Sequence, residues 1–223
     1  MARILVLGEG PNEIGRPTYS RRTGQYTPGN GWLQPLVRRL RPQDDEVVGE
    51  SLKVLVNLPG PKAGTHSNLA RKAASAKLRA GTNGYTAVIF ATDADDSDPR
   101  KHARMVGEIE EGFEAVETDA VGIACVPMGT SEAWLLADHD AWTDLGATTN
   151  RRELPRRPEE LWGVPRAQGS RHPKDVFERV CEDNNIPPNS DTRAEIAEIC
   201  DFDELRRRLP VSFPPFADHV SAL

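Results

Sequence analysis

Three short runs of branched and apolar residues constrain the fold most: ARILVLG at 2–8, TAVIFAT at 86–92 and AVGIACVP at 120–127. Continuous apolar runs of this length, bounded by Gly, Pro or Asp, read as strands buried on both faces. A fourth segment, EVVGESLKVLV at 46–56, reads as a longer strand. Its imperfect alternation and internal Gly49 suit an edge strand or one with a bend. Helical spacing fills the gaps: Trp32, Leu33, Leu36, Val37 and Leu40; then Leu69 through Leu78; then Ala103, Val106, Ile109 and Phe113. The alternation predicts an α/β fold with a parallel sheet of about four strands, because right-handed crossovers lay helices over both of its faces.

Two regions interrupt this plan. Residues 11–31, which carry Arg16, Arg21 and Arg22, show no period and read as a long functional or mobile loop. From about residue 139 the chain turns to short helices punctuated by Pro: PEELWG, HPKDVFERVCEDN, DTRAEIAEIC and FDELRRRL. The expected organisation is therefore an α/β core over 1–138 and a helical C-terminal lobe over 139–223. The lobe opens with a basic strip, residues 151–171, holding six arginines against three glutamates.

The whole chain is nevertheless acidic, with a formal net charge of −6, so any phosphate binding must be local. No apolar run approaches the ~18 residues of a membrane span, and ILVLG is too short for a secretory core. The three cysteines, Cys125, Cys181 and Cys200, form no CxxC pair and suit a reducing, cytoplasmic setting. The five histidines form no ligand spacing and are expected mostly at the surface.

Ligands of parallel α/β sheets gather beyond the C-terminal ends of the strands, which makes the acids there informative. GEGPNEIG places Glu9 and Glu13 after the first strand; TDADDSD places Asp93, Asp95, Asp96 and Asp98 after the third; Glu132 follows the fourth. On an extended segment Asp93 and Asp95 share a side, which suits joint ligation of a hard cation such as Mg²⁺. The same stretch also reads as an acidic turn, with Asp98 capping the helix that begins at Pro99. GPNEIGR lacks the Lys-Ser/Thr of a P-loop, and GEGPNE lacks the third glycine of a dinucleotide fingerprint.

ILVLGEGPNE followed much later by VIFATDADD resembles the TOPRIM fold of topoisomerases, primases and old-type nucleases, in which one strand ends in Glu and a later one in Asp-x-Asp. Glu9 matches the glutamate; Asp93 and Asp95 match the aspartate pair. VPMGTSEAWLLAD at 126–138 and HPKDVF at 172–177 are similar to a small bacterial TOPRIM-like family, and that likeness spans most of the chain. The long arginine-bearing loop departs from compact members.

The resemblance implies a phosphodiester hydrolase acting on DNA or RNA with Mg²⁺ or Mn²⁺, in the manner of effectors of phage defence. Glu9, Asp93 and Asp95 would hold metal, with Glu13 and Glu132 as further ligands and Glu9 also able to relay a proton. Glu132 reads equally as the acidic first turn of the EAWLLAD helix. Lys174 is the candidate cation beside the phosphate, ahead of Arg171. No tyrosine sits at a topoisomerase nucleophile position, so hydrolysis is expected over strand passage. Two other readings stand: a non-catalytic adaptor that binds a partner ATPase, and a metal-dependent phosphoesterase.

Overall fold

The computed structural model describes residues 1–15, 18–20, 25–27, 29, 31–57, 66–148 and 154–223. Arg16, Arg21 and Arg22, with Arg151 and Arg152 of the basic strip, lie outside the described residues. Strand β1 (Arg3–Gly8) is followed by a one-turn helix, α1 (Pro11–Ile14), and a small hairpin of β2 (Thr18–Ser20) and β3 (Gln25–Thr27). Then come α2 (Leu33–Leu40), β4 (Glu46–Ser51), α3 (Asn68–Thr82), β5 (Ala87–Ala91), α4 (Pro99–Glu114) and β6 (Val121–Cys125). The main sheet has the order β4-β1-β5-β6 and every pairing in it is parallel.

The continuous apolar character of β1 and β5 follows from burial on both faces. Ile4, Val6 and Ile89 join one apolar cluster with α2 and the C-terminal helices, whereas Leu5, Leu7, Val88 and Phe90 join another with α3 and α4. The second cluster needs close helix approach: a Cβ on Gly112 of α4 would overlap the carbonyl of Ala70 in α3. Ser67 caps α3 by accepting from the Ala70 amide at 3.1 Å, and Asp98 caps α4 through the Arg100 amide at 2.9 Å.

Three expectations are corrected here. β6, expected to be buried on both faces, lies at the sheet edge with Val121 half exposed. The strand expected over 46–56 ends at Ser51, and Leu52–Asn57 forms a 3₁₀ turn. Among the described residues β4 is an edge strand with β1 as its one neighbour, and β1 ends at Gly8, opposite Ser51, so no described strand remains for residues 52–56 to pair with. The region 11–31 also contains a helical turn and the hairpin rather than an aperiodic loop throughout. Three-residue strands such as TYS and QYT have strand-forming residues but are too short for a period to register.

The C-terminal part comprises α5 (Ser131–Leu135), α6 (His139–Asp144), α7 (Pro173–Asp183), α8 (Ser190–Ile199), α9 (Phe202–Arg208) and α10 (Phe213–Ser221), with a 3₁₀ turn at Pro158–Glu160. Helix α10 carries no clear start signal in the sequence apart from its prolines, which are tolerated in a first turn. Trp134 lies at the centre, against Trp32, Phe213 and Phe216 with ring centroids 5.7, 5.2 and 5.4 Å away. Its indole N–H donates to Ser212 at 2.7 Å. Residues on both sides of position 138 therefore share one apolar cluster. Among the described residues no helix is long and apolar enough to cross a membrane, and all three cysteines are buried thiols.

Candidate functional site

In the order β4-β1-β5-β6 the chain leaves β1 toward β4, with α2 on one face, and then returns past β1 to β5 with α3 on the other. The direction of winding reverses between β1 and β5, and the crevice at such a reversal, beyond the strands' carboxyl ends, is where α/β sheets bind ligands. Glu9 directly follows β1, and Thr92 and Asp93 directly follow β5. Thr92 Oγ1 donates to Glu9 Oε1 at 2.7 Å, tying the two strand ends together.

Glu9, Glu13, Trp32, Ala91, Thr92, Asp93 and Pro127 line a narrow cleft of ≈ 10 Å³, room for about one water molecule or bare cation. Asp93 is half-buried, and its Oδ1 accepts from the Ser131 amide at 2.8 Å. Burial holds its pKa well above 3.8, reinforced by the charges of Glu132, Glu13 and Asp95. Glu13 is raised as well, by burial first and then by Glu132 and Glu9. Its Oε2 accepts from the Gly10 amide at 2.7 Å, which closes the turn that presents Glu9. Carboxylates that push one another's pKa upward in this way favour any cation that enters. Trp32 adds a second signal. Its indole N–H is buried without an acceptor among the described residues, and a buried donor lining a polar cleft calls for a ligand or solvent oxygen.

Asp95 departs from the expected geometry. The backbone turns after β5, and Asp95 adopts φ +49°, a left-handed conformation that Asp tolerates better than most residues. Asp93 and Asp95 therefore do not share the side of an extended segment. The Asp95 amide donates to the Gly129 carbonyl at 2.9 Å, and its own carbonyl accepts from Lys101 Nζ at 3.1 Å. Its exposed side chain still feels the cleft: its pKa is raised by partial burial and by Glu9, against the pull of Lys101 and His172.

Glu132 is buried against Arg193, with Oε1 3.0 Å from Nη2, and its Oε2 accepts from Thr130 Oγ1 at 2.7 Å. Burial alone would raise its pKa; the Arg193 charge and the hydrogen bonds from Thr130 and Arg193 outweigh that and hold it low. Both its oxygens are thus engaged within the protein. The Arg193 guanidinium also stacks over Phe177 at 4.4 Å. Lys174 and Arg171 are exposed near the start of α7.

Among the described residues Lys101, 3.6 Å from Asp96, and Arg100, 3.8 Å from Asp98, are the cations beside the acidic turn, and Lys101 is the one that also binds its backbone, at Asp95. The sequence points to it only through its place in the first turn of the helix after DADDSDP. The expectation of mostly surface histidines is corrected: His102, His139 and His172 are buried. His172 stacks on Trp162 with ring centroids 5.0 Å apart, and its Nδ1 has no hydrogen-bond partner among the described residues. A lone histidine before a proline gave no signal of this.

Among the described residues no group of three His, Cys, Asp or Glu is arranged to hold a metal ion. Mg²⁺ does not require one, since it is commonly bound through one or two carboxylates, with waters and substrate phosphates completing the shell. Glu9 and Asp93, hard oxygen donors on one cleft, fit that mode; Glu13 lines the same cleft and is a further donor. Comparisons of the chain with protein-family models, with curated proteins and with solved structures return no match, which leaves the chemistry of these side chains to say what the site does.

Proposed function

We propose that the chain is a TOPRIM-like, Mg²⁺- or Mn²⁺-dependent nuclease that hydrolyses phosphodiester bonds of DNA or RNA, in the manner of a phage-defence effector. The observation that carries this reading is the meeting of Glu9 and Asp93 on one small cleft at the reversal between β1 and β5. A divalent ion there would neutralise charge on the scissile phosphate and acidify a water molecule. Thr92 fixes one oxygen of Glu9 and leaves the other available for the ion or for a proton from the attacking water. Ser131 orients Asp93 in the same way through one oxygen. The buried Trp32 N–H is a donor for a phosphate or water oxygen entering the cleft. Lys101 supplies positive charge at the acidic turn, beside Asp95 and Asp96.

The test is cleavage of single- and double-stranded DNA and RNA with Mg²⁺ or Mn²⁺. Activity that falls about 10²-fold or more in Glu9→Gln and Asp93→Asn supports the reading. Cleavage of phosphomonoesters or nucleotides in place of polymers would favour the phosphoesterase. Absence of all cleavage, with a partner ATPase captured equally by the native chain and both variants, would favour the adaptor. That last reading draws on Asp93 and Glu132 already having partners inside the protein.

A further inference from the structure

A larger cavity, of ≈ 620 Å³, lies beside the carboxylate cleft and is lined by Arg156, Arg157, Arg207 and Arg208. The two pairs come from segments about fifty residues apart in sequence, and the buried carboxylate of Glu159 joins them. Glu159 accepts from the Ser212 amide at 2.7 Å, the Ser212 hydroxyl at 2.6 Å and the Val211 amide at 3.1 Å. These donors fix the carboxylate in place, so it braces the cavity wall.

The remaining acids differ in how firmly they hold the arginines. Glu160 pairs with Arg157 at 2.9 Å, where both side chains are well exposed. Glu204 pairs with both Arg207 and Arg208, and Arg208 also reaches His139 at 2.9 Å. An exposed pair such as Arg157–Glu160 holds its arginine weakly and exchanges readily for a better anion, whereas Arg207 and Arg208 share the half-buried Glu204. Arg156 makes no ion pair among the described residues. Four arginines against two glutamates line the cavity of a chain whose net charge is −6. Clustered guanidinium groups, each a fork of N–H donors, match phosphate oxygens in charge and geometry.

Position adds to composition. Pro127 lines the carboxylate cleft and the next residue, Met128, lines the arginine cavity, as does Ser97 of the acidic turn. The two loops that separate the sites are held together by hydrogen bonds between Asp95 or Asp96 and Gly129, at 2.9 and 2.8 Å. We propose that the arginine cavity is a phosphate-binding site, which seats phosphate groups of the same molecule whose neighbouring bond meets the carboxylates. The second half of that statement rests on the hydrolase reading; the binding itself does not.

The experiment is fluorescence anisotropy of a short labelled single-stranded oligonucleotide with the full chain in EDTA, so that no metal contributes. Arg156→Gln/Arg157→Gln removes two exposed guanidinium groups and is expected to weaken binding about tenfold or more. It should also flatten the salt dependence, by about one unit of slope for each phosphate no longer held. Lys53→Gln/Lys72→Gln, a charge-matched change at exposed positions outside the cavity, is expected to change affinity less than about twofold. Competition by tripolyphosphate, absent in the arginine variant, identifies a free polyphosphate as sufficient ligand; binding that only the oligonucleotide shows assigns the site to a strand. Equal weakening in both double variants, or no binding of either probe, overturns the proposal. Cleavage with metal that survives such a result leaves hydrolysis standing without this site, whereas arginine-dependent binding without cleavage leaves the site standing without hydrolysis.

Discussion

Asp93 holds the most tension of any carboxylate in the cleft, since burial and three acidic neighbours all disfavour its charge. A group whose pKa is higher folded than unfolded binds more protons in the folded state. Its favourable contribution is complete below the ordinary carboxylate value and is lost as pH rises through the folded one. In EDTA, Asp93→Asn is therefore expected to melt above the native chain at alkaline pH, with the difference narrowing as pH falls toward the ordinary carboxylate value. Calorimetry across pH checks this, and a variant less stable at every pH would contradict it. At this scale Glu9 and Asp93 were legible because each closely follows an apolar run. The partners that decide what an acid does were not. Thr92 on Glu9, Ser131 on Asp93 and Arg193 on Glu132 are contacts across 83, 38 and 61 positions, and no local pattern encodes them. The extended geometry expected for Asp95 failed for a related reason: its left-handed turn is held by Gly129 on a distant loop.

Elements were legible where burial was symmetric. β1 and β5 are enclosed on both faces, so their apolar runs coincide closely with the strands, whereas the extent of β4 depends on where β1 stops. Helix α4 offers an internal comparison, because it carries two glycines in different surroundings. A Cβ at Gly107 would meet nothing within 4 Å, while one at Gly112 would strike the Ala70 carbonyl of α3. Gly107→Ala is expected to stabilise the chain by about 0.5–1 kcal/mol through helix propensity. Gly112→Ala should destabilise it by about 1–3 kcal/mol, because overlap with backbone outweighs the same propensity gain. Urea titration of both measures the contrast, and equal shifts would contradict the close packing of α3 on α4.

On the scale of the molecule, the C-terminal helices do what α3 and α4 do on the opposite face: they cover the sheet. Ile4, Val6, Trp32 and Trp134 share their apolar cluster with Phe177, Phe213 and Phe216. A chain ending at residue 138 would leave that face only partly covered, by α2 and α5, and it is expected to be recovered aggregated or to lose cooperative melting. A soluble fragment with a sharp transition would show instead that the 1–138 unit stands alone. The change of texture near 139 is plain in the sequence. That later helices return to the sheet is not, because amphipathic spacing marks an apolar face and not the surface it covers.

The central claim is that Glu9 and Asp93 jointly hold a divalent ion when a phosphate is present. Titration of Mn²⁺ followed by electron paramagnetic resonance, with a phosphorothioate oligonucleotide bound to resist cleavage, measures this directly. One saturable site that disappears in both Glu9→Gln and Asp93→Asn is the expected result. A site that survives both substitutions, or no saturable site in the native chain, would contradict the account.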